Sequence, residues 1–239
     1  MIQEAINKIL EVGGQVQQFE VLNRDFVALH GSYKEITPIR FDTIKVHTLQ
    51  AIVDYFNEGS DVLVEDAIIH VLSPATVRVI DKQLCPTYGY RDVYVESSLN
   101  LGEFPFGRFL EQELMVINLL TMFKENPLRD EIIKAVSGLI VTGEVEVADD
   151  GVSQQVKTRT GVSRLESVEI KNPVKLKPIR TFSEVEQVEA PYVVRVQARD
   201  GAKPQIAIFE ADGGAWENVA IARIVEWLGN KVPGVKILG

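Results

Sequence analysis

The chain of 239 residues is 46% hydrophobic and 25% charged, with a formal net charge of −9, a composition that supports a folded core and excludes wholesale disorder. No apolar run approaches the ~18 residues of a membrane span, and the single cysteine, Cys85, excludes an internal disulfide and every multi-thiolate zinc site. A soluble protein of the reducing cytoplasm is the expectation, and its acidity is uneven: residues 1–140 hold 12 Lys/Arg against 20 Asp/Glu, and residues 141–239 hold 13 against 14.

The opening MIQEAINKILEVGG has neither a basic leader region nor a small-residue cleavage site, so export is not expected. Its Ile2, Ala5, Ile6, Ile9 and Leu10 share one helical stripe that ends at Gly13-Gly14. Val16–Leu22 and Phe26–Leu29 then read as short strands. Asp42 or Thr43 is expected to cap a helix with Ile44, Leu49, Ile52, Val53 and Phe56 on one face, ended by Asn57 and Gly59. Ala67–Leu72 and Val77–Ile80 flank the turn-forming Ser73-Pro74-Ala75-Thr76, and Val93–Val95 adds a third run, together predicting a small antiparallel sheet. From Phe109 to Phe123, Leu110, Leu114, Ile117 and Leu120 recur at helical spacing; after Asn126-Pro127 a second stripe of Leu128, Ile132, Ile133, Val136 and Leu139 completes an αα pair.

Beyond Ile140 the pattern turns to β. Glu144–Ala148 and Val152–Thr160 surround Asp149-Asp150-Gly151, whose Asp-Gly step tolerates the positive φ of a hairpin turn. Ser167–Ile170, Val174–Ile179, Tyr192–Gln197, Gln205–Phe209 and Val235–Leu238 are further strands, with Arg199-Asp200-Gly201 as another turn. One helix interrupts them, about Asn218–Leu228, carrying Val219, Ile221, Ala222, Ile224, Val225 and Leu228 and stopped by Gly229. The expected fold class is therefore α+β: a mixed helix and strand part over residues 1–140, and a mainly antiparallel sheet backed by a helix over residues 141–239. Pattern and charge change together near 140, but no Pro/Gly/Ser-rich linker marks the boundary, so one composite domain is the alternative.

The phosphate-binding, dinucleotide-binding, zinc-protease and serine-hydrolase signatures are absent from the sequence. His30, His47 and His70 are not at ligand spacing from one another. No cofactor and no metal is predicted. His70 reads as a hydrogen-bonded residue of an apolar strand, and Cys85, in Leu-Cys-Pro without a neighbouring base, as a structural thiol.

Two charged constellations carry the functional alternatives. Lys157, Arg159, Arg164, Lys171, Lys175, Lys177 and Arg180 face only Glu166 and Glu169 between residues 157 and 180. Strand alternation pairs Lys157 with Arg159 and Lys175 with Lys177, a stripe suited to phosphates; the competing reading is a solvated β face that meets acidic neighbours. Asp150 at the hairpin with Glu169 and Lys171 on the next strand is the arrangement of a metal-dependent nuclease, in which carboxylates hold a divalent cation and the lysine supports the attacking water. Asp149-Asp150-Gly151 is equally explained by turn chemistry. Near the C-terminus, Asp212-Gly213-Gly214 before Trp216 reads as an architectural turn, with Asp212 accepting backbone N–H bonds and Trp216 pinning the last helix; an anion cradle is the alternative.

The run Asn172-Pro173-Val174-Lys175-Leu176-Lys177-Pro178-Ile179-Arg180-Thr181-Phe182-Ser183-Glu184-Val185-Glu186-Gln187, then Tyr192-Val193-Val194-Arg195, then Phe209 to Trp216, resembles the core signature of the YfdQ-like proteins of bacteriophages and prophages. The likeness is clearest over residues 157–228 and departs from the pattern at Val188, where Pro typically follows the Gln. It implies a phage-encoded protein made in the bacterial cytoplasm; the family has no assigned activity, so the likeness implies a setting and not a mechanism. Within the signature, Arg180, Thr181 and Phe182 with Arg195 read as a structural network, the guanidinium groups binding carboxylates such as Glu184 and Phe182 filling the core.

The leading expectation is a non-enzymatic binding or assembly protein, forming a homo-oligomer and acting on a host or phage protein. A nucleic-acid-binding accessory protein using Lys157, Arg159, Lys175, Lys177 and Arg180 is the second reading, and a nuclease using Asp150, Glu169 and Lys171 the third. No membrane partner is expected.

Overall fold

β-Branched runs with period-2 alternation make strands and stripes spaced near 3.6 residues make helices, and along this chain the two interleave. The computed structural model describes residues 17–21, 24–29, 32–37, 42–85, 88–138, 147–149, 154–160, 164–197 and 204–239. In chain order these form β1 (Gln17–Val21), β2 (Arg24–Leu29), β3 (Ser32–Glu35), β4 (Ile44–Val46), α1 (Leu49–Asn57), β5 (Ala67–Ser73), β6 (Thr76–Asp81), β7 (Val93–Ser98), β8 (Leu110–Glu111), α2 (Gln112–Met122), α3 (Pro127–Ser137), β9 (Val147–Asp149), β10 (Gln154–Thr160), β11 (Arg164–Ile170), β12 (Val174–Leu176), β13 (Ala190–Gln197), β14 (Gln205–Glu210), α4 (Ala215–Lys231) and β15 (Lys236–Leu238). The fold is α+β: strands and helices mix in the N-terminal region, and an antiparallel sheet followed by a helix occupies the C-terminal region. The helical stripe at residues 2–10 and the turn residues Asp150-Gly151 and Arg199-Asp200-Gly201 lie outside the described residues.

The first of two large sheets has the order β15-β5-β6-β7-β4. Its centre is the expected hairpin: β5, β6 and β7 pair antiparallel, placing Val77 and Val79 on the buried face. Its edges differ from the expectation of a purely antiparallel sheet, because β4 joins β7 and β15 joins β5 in parallel. Parallel neighbours need a crossover, and α4 leads into β15. Against this sheet α1 buries Leu49, Ile52 and Val53, α4 buries Ile224 and Leu228, and Phe182 arrives from the loop after β12.

α1 begins at Leu49, and its N-cap is Thr48, six residues beyond the earliest cap expected, Asp42; Thr48 Oγ1 accepts from Ala51 N at 3.2 Å. Ile44, expected on the helix face, sits in edge strand β4 opposite Val95 and is 47% exposed. Thr43 does not cap the helix; its hydroxyl donates to Val93 O at 2.9 Å. A β-branched Ile44-Lys45-Val46 beside an open strand edge gains ladder hydrogen bonds that an extra helical turn would forgo.

The second sheet, β12-β13-β14-β8, is antiparallel throughout. β13 alternates buried Ala190, Tyr192, Val194 and Val196 with half-buried residues, and α2 and α3 cover that face through Met115, Leu119, Ile132, Ala135 and Val136. The αα pair is present, with Asn126 Oδ1 accepting from Arg129 N at 2.7 Å and Pro127 in the first helical turn. The face of α2 differs from the expectation. Leu114, Ile117 and Leu120 are 48%, 47% and 54% exposed, while Met115 and Leu119 are fully buried. Apolar side chains are spread around the circumference of α2, so spacing alone admits more than one inward face.

Each large sheet draws on both sides of residue 140. α4 and β15 complete the sheet begun by residues 44–98, and β8, α2 and α3 complete the one built from residues 174–210. The expected parts 1–140 and 141–239 are thus interlocked in packing. Two three-stranded antiparallel meanders, β1-β2-β3 and β9-β10-β11, make up the remaining strands.

Candidate functional site

Where the two sheets meet, loops from each enclose a cleft of about 350 Å³. Its walls come from the β5–β6 turn (Ser73, Pro74, Ala75), the segment after β7 (Leu99, Leu101, Gly102, Glu103, Phe104, Phe106), the chain leaving β12 (Pro178, Ile179, Arg180), Glu210 at the end of β14, and Trp216 and Glu217 at the start of α4.

The wall carrying Arg180 is fixed from both directions. Upstream, Asn172 imitates a strand partner, its Oδ1 accepting from Val194 N at 2.8 Å and its Nδ2 donating to Val194 O at 3.1 Å; the Asn172-Pro173 peptide is cis. Pro178 forms a bridge with Phe123, and Ile179 N donates to Met122 O. Downstream, buried Gln187 accepts at Oε1 from Arg180 N (3.0 Å) and Thr181 N (3.2 Å) and donates from Nε2 to Thr181 O (2.9 Å) and Phe182 O (3.2 Å). One side-chain amide thereby satisfies four backbone groups of a non-repetitive loop. Thr181 Oγ1 donates to Pro74 O at 2.6 Å, tying this loop to the β5–β6 turn.

Held this way, the Arg180 side chain lies in an aromatic enclosure. Its guanidinium carbon is 3.5 Å from the Trp216 ring centroid, 5.3 Å from that of Phe106 and 5.7 Å from that of Tyr192. Nη1 pairs with Glu210, Nη2 donates to the Tyr192 hydroxyl at 2.5 Å, and buried Nε has no acceptor among the described residues. Burial pushes the Tyr192 hydroxyl well above its ordinary value, only partly opposed by Arg180, so it stays protonated. Phe106 stacks on Tyr192 at 5.4 Å and meets Phe104 edge-on at 4.7 Å, continuing the aromatic surface into the cleft.

Trp216 is placed by the turn before it. Asp212 Oδ1 accepts from Gly214 N at 3.1 Å and Oδ2 from Trp216 N at 3.0 Å, capping α4. Gly213 and Gly214 take φ of +61° and +85°, a left-handed pair that L side chains resist. This is the architectural turn that the sequence suggested.

The remaining expected residues disperse. Lys157 and Arg159 lie on β10 in register with Ser167 and Leu165. Lys175 is exposed on β12, with buried Leu176 between it and Lys177. Lys177 Nζ meets Glu186 Oε1 at 2.7 Å, a hydrogen bond that holds the Glu186 carboxyl below its ordinary value. Of the stripe residues whose side chains are described, Lys177 is engaged with Glu186 and Arg180 with Glu210. Of the nuclease trio, Asp150 lies outside the described residues, Glu169 is in register with Gln155, and Lys171 is exposed just past β11. Among the described residues no three His, Cys, Asp or Glu side chains are placed to share a metal ion. Arg180 takes Glu210 and not the expected Glu184, whose Oε1 instead accepts from Gln50 N at the start of α1. Arg195 sits on β13 opposite Ala207. His47 Nδ1 is 2.9 Å from Ser98 O, His70 lies half-buried in β5 opposite Arg78, and Cys85 is a half-buried free thiol.

Sequence reasoning passed over Glu103, Phe104, Phe106 and Glu217, and gave Glu210, inside the quoted Phe209 to Trp216 segment, no role. The available signal was Phe104-Pro105-Phe106-Gly107, two aromatic rings in a segment with no strand or helix period, which must find cover in the tertiary structure. The cleft's lining holds three carboxylates, Glu103, Glu210 and Glu217, against one guanidinium. Glu103 and Glu217 are exposed and make no ion pair with a described residue. The site therefore combines an aromatic wall with uncompensated negative charge. No family model, curated protein or solved structure matches this chain.

Proposed function

We propose that the chain is a phage-encoded, non-enzymatic binding protein whose cleft receives a basic side chain, arginine or lysine, presented by a host or phage protein. The observation that carries this reading is the charge balance of the cleft. Its one cation is already consumed by Glu210, Tyr192 and Trp216, while exposed Glu103 and Glu217 line it together with Phe104 and Phe106. Aromatic surface and carboxylates with no ion-pair partner among the described residues together favour a cation with an apolar stem: the rings take the stem and the carboxylates the head. Tyr192, kept protonated, serves as a hydrogen-bonding post for Arg180 and not as a base. The likeness to the YfdQ-like proteins supplies the setting, and its signature residues Asn172, Pro178, Arg180, Thr181, Gln187, Asp212 and Trp216 are those that frame the cleft.

Calorimetric titration with N-acetyl-argininamide and its neutral isostere N-acetyl-citrullinamide tests the reading. Binding of the arginine compound alone, weakened when Glu103→Gln and Glu217→Gln are combined, is the expected outcome. Equal binding of both compounds, or affinity untouched by the double substitution, would remove the charge argument.

A further inference from the structure

We infer that the cleft reads an extended segment of its partner in which the basic residue and an aliphatic residue stand two positions apart, the aliphatic side chain packing on Leu101. The inference rests on the cleft reading above and names the partner's chemistry. Pockets of about 300–1,000 Å³ enclose drug-sized ligands, and one arginine side chain is smaller than these, so a cleft of about 350 Å³ takes it with room left over. That room is bordered by aliphatic surface from Pro74, Ala75, Leu99, Leu101 and Ile179. Leu101 is 53% exposed, a large apolar side chain that folding leaves in water inside a concave site.

One wall of the cleft sets the spacing. Along the segment after β7 the lining residues are first aliphatic, Leu99 and Leu101, then acidic, Glu103, then aromatic, Phe104 and Phe106. The two ends of this wall are pinned to different elements: Leu99 N donates to Ala75 O at 2.9 Å in the β5–β6 turn, and Phe106 stacks on Tyr192 of β13. Between them residues 99–105 run without a turn or a helix, so the backbone from Leu101 to Glu103 covers close to its extended span of about 7 Å. Extended backbone alternates its side chains, which fits exposed Leu101 and Glu103 on one side and buried Phe104 on the other. In an extended partner, residues i and i+2 also share a face and stand about 7 Å apart. A basic residue seated at Glu103 therefore brings the residue two positions away, on one side of it in sequence, over Leu101. An aliphatic residue there removes apolar surface from water on both molecules, and a polar one does not.

Calorimetric titration of the full chain with blocked tripeptides tests the proposal, with thermal melts as a folding control. N-acetyl-Arg-Ser-Leu-amide and N-acetyl-Leu-Ser-Arg-amide are each compared with the counterpart in which serine replaces leucine. One of the two orders should bind about tenfold tighter than its serine counterpart, the gain from burying a leucine side chain. Moving the leucine next to the arginine should forfeit most of that gain. In Leu101→Ser the ratio of the two affinities should fall toward one, and Leu101→Met, which keeps the apolar contact, should retain it. A leucine gain absent from both orders, or one that persists in Leu101→Ser, overturns the proposal. N-acetyl-argininamide separates this outcome from failure of the cleft reading: its binding without any leucine gain removes the two-residue motif alone, and its failure to bind removes the reading on which the motif rests.

Discussion

Replacing Gln187 by Leu removes one side-chain amide while nearly preserving volume, so its effect reports hydrogen bonding and not a cavity. Gln187 is 3% exposed and serves four backbone groups in the loop 180–182. Thr181, 1% exposed, is served at both its N–H and its C=O and has no access to compensating solvent. A buried polar group left unmet costs about 1–3 kcal/mol. Counting the two groups of Thr181, and allowing those of Arg180 and Phe182 to recover partners, the expected loss is about 3 kcal/mol. For a chain of this size that lowers the melting temperature by about 6–12 °C. Urea titration followed by circular dichroism measures the loss, and tryptophan fluorescence reports whether the Arg180–Trp216 contact loosens before global unfolding. A loss under about 1 kcal/mol would refute the claim that this amide organises the Arg180 wall.

The reassigned face of α2 is tested by a pair of neighbours: Leu119→Ala should cost about 2–5 kcal/mol, and Leu120→Ala under about 0.5 kcal/mol, both measured by urea titration. Arg180→Lys should destabilise by about 1–3 kcal/mol, because an ammonium cannot lie flat on Trp216 while also bonding Glu210 and Tyr192; urea titration would contradict this by showing parity with wild type. Burial raises the Tyr192 hydroxyl above its ordinary value of 10.0, so the contribution is fully present below pH 10 and is lost as pH rises from there toward the folded value, since the unfolded chain ionises first. A spectrophotometric phenolate titration should leave Tyr192 protonated until the protein unfolds, and its early ionisation in the folded state would contradict the buried placement.

The sequence disclosed most elements whose own period matched their environment. The hairpin around Ser73-Pro74-Ala75-Thr76, the αα pair at Asn126-Pro127 and the Asp212-Gly213-Gly214 turn are local devices, each decided by residues within a few positions. Features settled by distant partners were not legible. β4 is a strand because β7 offers an open edge, and Leu114 faces outward because Met115 and Leu119 fit the second sheet better. Interlocking across residue 140 follows from β15 pairing with β5 across the whole intervening chain, which no local pattern encodes. The same holds for the site. Arg180, Gln187, Asp212 and Trp216 lie in one stretch of sequence, yet local spacing assigns Arg180 to a basic stripe because its partner Glu210 lies 30 positions away. The cleft itself needs Phe104 and Phe106 from a segment with no period to read.

The central claim is that the cleft recognises a positive charge next to Trp216. The chain has two tryptophans, Trp216 in the cleft wall and Trp227 on α4 beside Lys231, so their indole N–H resonances provide a reporter and an internal control. Adding N-acetyl-argininamide should shift the Trp216 signal in a saturable way and leave Trp227 in place, with N-acetyl-citrullinamide moving neither. A Trp216 resonance that ignores the arginine compound, or follows the neutral one equally, would contradict the account.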